Sequence, residues 1–102
     1  MAHYIVRARL KQDLARELRE KLDAGEFRSI RPFGMGLSDA LEKARKDPQT
    51  GEAVWEEQCF CNPPLAQERK AVLDRYFDDI TTREVSAGEG WREIEGFPPL
   101  WD

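Results

Sequence analysis

A chain of 102 residues makes one domain with a single core, and at 40% apolar and 35% charged residues it is too apolar to stay disordered. Its net charge of −4 and pI near 5.1 leave no excess of lysine and arginine to displace counterions, which argues against a nonspecific binder of nucleic acid or anionic membrane. No apolar run approaches the roughly 20 residues of a membrane span, and the opening residues Met1 to Arg7 lack the apolar run of a secretion signal, so a cytoplasmic protein is expected.

Tyr4, Val6, Ala8 and Leu10 alternate with His3, Ile5, Arg7 and Arg9, the period of a half-buried strand. From there Leu10, Leu14, Leu18 and Leu22 recur every fourth residue, which predicts a helix with one apolar stripe, closed by Gly25. Phe27, Ser29 and Arg31 opposing Arg28 and Ile30 predict a short edge strand over 26–31, since Pro32 bars its continuation inside a sheet. After Gly34-Met35-Gly36-Leu37, Ser38 is placed to cap a short helix running to about Lys46, with Asp47-Pro48 ending it. The glycines at that start raise an anion-binding reading, but a lysine and a third glycine are missing, and a plain turn into a capped helix accounts for the pattern.

Gln49-Thr50-Gly51 turns the chain into a strand from Ala53 to Cys61. Asn62 is then positioned as an N-cap and Pro63 as the first residue of a helix whose apolar face gathers Leu65, Val72, Leu73, Tyr76 and Phe77. A last strand is expected over Ile80 to Val85, and residues 87–102 form a tail rich in Trp91, Ile94, Phe97, Leu100 and Trp101. The whole is a single α+β domain with its core within about residues 3–86.

Taking the short helix as an insertion between the second and third strands, this order is βαββαβ. It resembles the ferredoxin-like fold and the dimeric α+β-barrel proteins built on it, the YciI-like proteins being nearest through the segment from Leu22 to Gly34. The resemblance implies a homodimer whose sheet faces enclose a cavity. The functional His and Asp pair of the YciI-like proteins has no match here, because His3 lies before the centre of the first strand.

With Tyr4, Val6, Ala8 and Leu10 under the helices, and Ala53, Trp55, Cys59 and Cys61 beside them, the opposite face carries His3, Ile5, Arg7 and Arg9 next to Val54, Glu56, Gln58 and Phe60. The plain reading of that face is a set of exposed ion pairs between Arg7 or Arg9 and Glu56. The functional reading is a site closed by a second subunit, where Arg7 and Arg9 hold a small anionic, partly apolar ligand with Glu56, Gln58 and Phe60 around it. A cofactor-free oxygenase or isomerase using His3 or Glu56 as acid or base is a second possibility. A third is a protein-binding module, with Trp91, Phe97, Leu100 and Trp101 as the partner contact.

No cofactor is called for. Cys59 and Cys61 sit on one strand face about 6.5–7 Å apart, too far for easy disulfide geometry, and with His3 the sole histidine they fall short of a metal site; they read as small buried apolar residues.

Overall fold

In the computed structural model, which describes residues 2–59 and 62–101, strand β1 spans Ala2–Leu10 and follows the alternation of its side chains. Val6 and Ala8 are fully buried under the helices, with Tyr4 and Leu10 packed beside them. A 3-10 turn, Gln12–Leu14, leads into helix α1, Ala15–Asp23, which buries Leu18 and Leu22 and ends before Gly25 at φ 70°. This stretch follows its sequence because a leucine every fourth residue has only one way to reach a core.

Residues 26–31 are turns, which corrects the predicted edge strand. Arg28 N–H donates to the Gly25 carbonyl, Ile30 to Phe27 and Gly34 to Ile30, so the backbone is spent on short-range bonds. The apolar period that matters here is three: Phe27 enters the core, and Ile30 and Phe33 pack against it. Helix α2, Gly34–Glu42, therefore begins four residues before Ser38. Gly34 permits this, since a Cβ there would lie 2.0 Å from the Phe27 carbonyl oxygen. Ser38 is not a cap; it is buried inside α2 with its Oγ unpartnered.

The segment predicted to finish that helix is extended. Strand β2 is Arg45–Lys46, pairing with Val54 and Ala53 of strand β3, Ala53–Cys59. The short helix thus precedes the second strand rather than following it. Its early end has a tertiary cause: the tail runs along the outer side of β2, with an Arg45–Pro99 bridge, Lys46 N–H donating to Pro98 and Leu100 N–H to Ala44.

The expected cap at Asn62 is also displaced. Leu65 adopts a left-handed φ of 63°, and the helical segment α3 starts after it, as α-helical Ala66–Glu68, π-helical Arg69–Leu73 and α-helical Asp74–Tyr76. Strand β4 follows at once, Phe77–Val85. Its ladder with β1 shifts between Arg7 and Arg9, where Asp79 takes a left-handed φ of 54°. A last short helix, α4, is Glu89–Glu93.

The sheet is four-stranded and antiparallel, in the order β2-β3-β1-β4, an α+β arrangement compatible with the ferredoxin-like fold. The main core lies between one face and the helices, around Trp55, whose ring meets Phe77 at 5.2 Å. Glu17 clamps α1 to α3: Arg75 and the Tyr76 hydroxyl donate to its carboxylate and hold it down at about 2. The other face is not open throughout. Ile5, Val54 and Val85 are buried there beneath Ile94, with Trp91 and Phe97 packed around them. No described helix is long and apolar enough to cross a membrane.

Candidate functional site

Because β2 is two residues long, nothing described pairs with the outer edge of β3 beyond Val54. A cavity of about 490 Å³ occupies that place. Its walls come from both sides of the sheet. Pro32, Phe33, Gly36 and Leu37 approach from the start of α2, Gln67 and Glu68 from α3, and His3, Glu56, Gln58 and Trp91 from the opposite face; Glu57 and Cys59 complete it on β3.

The unusual members are Glu57 and Glu68, which have 5% and 1% of their surface exposed. Glu57 keeps step with Trp55 and Cys59, so the strand turns its side chain toward the core. Its Oε1 accepts the Trp55 indole N–H at 2.8 Å, and its other side is turned to Glu68, with which it shares a carboxyl–carboxylate hydrogen bond. Burial pushes this carboxyl up to about 8; the Trp55 bond opposes the shift, and the charge of Glu68 and the hydrogen bond to it add to it. The two acids in this cavity wall are therefore biased toward sharing one proton. Cys59 is buried next to the pair, its Sγ 3.9 Å from Glu68 Oε1 and 3.4 Å from the Leu65 amide that donates to it.

Both carboxyls left a signal in the sequence. Glu57 occupies a core phase of its strand, and Glu68 lies three residues after Leu65 and four before Val72 on the apolar side of α3. A charged residue in an apolar phase marks either an error of phase or a buried acid.

Of the expected site residues, the structure brings His3, Glu56 and Gln58 to this cavity, and Phe60 lies outside the described residues. Glu56 is an anchor. Its carboxylate accepts the amides of Gly88 and Gly90 at 2.8 Å and of Trp91 at 3.2 Å, and His3 Nδ1 lies 3.4 Å away. These bonds satisfy the otherwise unpaired amides at the start of α4 and fix Trp91 over the cavity.

Arg7 and Arg9 are not part of the cavity, and neither pairs with Glu56. Arg7 meets Asp47 at 2.8 Å and Glu52 at 3.3 Å, in the turn from β2 to β3, and Arg9 lies 3.5 Å from Asp79. The Arg7 pairing lowers Asp47 below the usual carboxylate range, and the Gln49 amide assists. The reason is register: Arg7 sits opposite Val54, which puts its guanidinium beside the turn rather than beside Glu56.

The tail residues offered as a partner contact also have intramolecular seats. Trp101 Nε1 donates to the Leu41 carbonyl at 2.7 Å, Arg19 lies 5.1 Å from the Trp101 ring centroid, Leu100 packs on the main core and Phe97 on the second one. Among the described residues no group of His, Cys, Asp and Glu is arranged to hold a metal ion. No protein-family model, curated protein or solved structure compared with the chain matches it.

Proposed function

We propose that this protein binds a small, partly apolar cation, a protonated amine, in the cavity beside β3. The observation that carries this reading is the Glu57 and Glu68 pair: two buried carboxyls side by side in the wall of a cavity large enough for a small molecule. The ionisable residues lining the cavity are His3, Glu56, Glu57, Cys59 and Glu68, with no lysine or arginine among them. Phe33, Leu37 and Trp91 supply apolar surface, and the two aromatic rings attract a cation. The ligand charge is thus opposite to that expected from Arg7 and Arg9, whose guanidinium groups already face Asp47, Glu52 and Asp79.

An ammonium group favours the ionised form of Glu57, so binding must expel the proton that the free protein holds below about pH 8. Affinity for benzylamine should therefore rise as pH approaches 8, and titration calorimetry in two buffers of different ionisation heat should register proton release. Glu57→Gln, which keeps the shape and removes the charge, should weaken binding by about tenfold or more. Benzylamine binding that is equally tight in Glu57→Gln would sink the reading.

An acid–base enzyme is the second reading, and Glu57 beside Glu68 favours it, because an acid poised near neutrality suits proton transfer. In that case Glu57 takes the role expected of His3 or Glu56. Turnover lost in Glu57→Gln while benzylamine still binds is the result that separates it from simple binding.

A further inference from the structure

Trp91 also lines a second depression, of about 380 Å³, with Lys43, Arg45, Arg92 and Glu95 around it. Its charge is the reverse of the cavity's: three cations against one carboxylate, in a chain of net charge −4. The fold assembles it from separate pieces. Lys43 follows α2, Arg45 opens β2, and Trp91 and Arg92 lie on α4.

These cations differ from most others on the surface. Arg19, Lys21, Arg28, Arg69, Arg75 and Arg83 each meet a carboxylate of the chain. Lys43 and Arg92, both exposed, make no ion pair or side-chain hydrogen bond with the described residues. Arg45 is half-buried, and its Nη1 donates to the Phe97 carbonyl at 2.8 Å, which fixes the guanidinium at the groove and leaves its other donors uncommitted. Beside them the half-buried Trp91 ring supplies an apolar wall.

Cations that meet no carboxylate among the described residues, next to an indole, match an anionic group carried on a flat apolar body: the charges take the anion and the indole takes the ring. We propose that this groove binds a small aromatic anion, an aryl phosphate or aryl carboxylate, with Lys43, Arg45 and Arg92 around the anionic group and Trp91 against the ring. Its residues, Trp91 excepted, are distinct from those of the cavity, so it stands or falls separately from the amine reading.

The test follows the Trp91 indole N–H by NMR while the full chain is titrated with phenyl phosphate. The resonance should shift and saturate, and the doubly substituted Lys43→Gln/Arg92→Gln chain should bind about tenfold more weakly. Both replacements alter exposed side chains that make no ion pair or side-chain hydrogen bond among the described residues, so the fold should be retained. Glu95→Gln, which removes the opposing charge, should tighten binding, and added sodium chloride should loosen it. Inorganic phosphate, having no ring, should bind more weakly than phenyl phosphate. A Trp91 signal that phenyl phosphate leaves unmoved, or a titration unchanged in Lys43→Gln/Arg92→Gln, overturns the proposal. Benzylamine titrated into the same double variant should behave as in the natural chain, which keeps the two sites apart.

Discussion

A carboxyl that keeps its proton at neutral pH makes folding depend on pH in a definite direction. An unfolded glutamate ionises near about 4.3, whereas Glu57 in the folded chain holds its proton to about 8. Below the first value both states are protonated and the burial adds no pH-dependent penalty. Between the two the unfolded chain gains by ionising, so stability falls as pH rises, and above about 8 it levels off. Glu17 and Asp47, whose carboxyls are lowered, lose their contribution as pH falls through the acid range and leave this window clear. Urea unfolding should show the natural chain less stable at pH 8 than at pH 5, and Glu57→Gln should remove that difference; equal midpoints in the natural chain would mean that Glu57 is not held neutral. Glu56 has a structural part instead, accepting three amides. Glu56→Ala should destabilise by about 1–3 kcal/mol for each buried donor it strands, with Glu56→Gln milder because it keeps one oxygen.

Among the elements, the tail has the largest structural consequence. It supplies Ile94 to the second core, extends the sheet past β2 through Pro99, and carries Trp91 to a position between two concavities of opposite charge. Ile94→Ala should cost about 2–5 kcal/mol, read from denaturant midpoints, since a fully buried side chain over Ile5, Val54 and Val85 leaves a cavity when truncated. A negligible cost would mean that the tail does not rest there in solution. The turn from Phe27 to Gly34 is the other decisive element. There the backbones approach so closely that Gly34→Ala must push α2 off the Phe27 carbonyl, against backbone rather than a yielding side chain, for a cost of about 1–3 kcal/mol or more.

For the whole molecule, the tail bears on association. A second subunit closing over the sheet, as the sequence pattern suggests, meets a face whose apolar residues Ile5, Val54 and Val85 are already covered. Among the described residues the large exposed apolar side chain is Met35, which is too little for a stable dimer contact. Light scattering at micromolar concentration should therefore return the single-chain mass of 11.8 kDa. Twice that mass would restore the dimer and place its contact away from the tail, for which the outer edge of β4, paired with no other strand among the described residues, is the available element.

The chain alone determines the strand β1, the Leu18 and Leu22 stripe of α1, the turn through Gly51, the inward phase of Trp55 and Cys59, and the burial of Val72, Leu73 and Tyr76 on α3, because each is set by repetition within a few residues, whereas Leu10 and Phe77, expected on helix faces, belong to strands. It does not determine where the second strand falls. Residues 26–31 alternate like a strand, yet Phe27, Ile30 and Phe33 reach the core as successive turns, and residues 45–46 become a strand only because β3 and the tail flank them. The candidate site divides in the same way. His3, Glu56 and Gln58 are legible from strand phase, whereas the partners of Arg7 and the role of Glu56 as an anchor depend on contacts spanning 32 to 45 residues, which no local pattern encodes. Glu57 and Glu68 stand between the two cases: local phase points each inward, and only the packing of α3 against β3 sets the two acids side by side, where shared burial favours the protonated form.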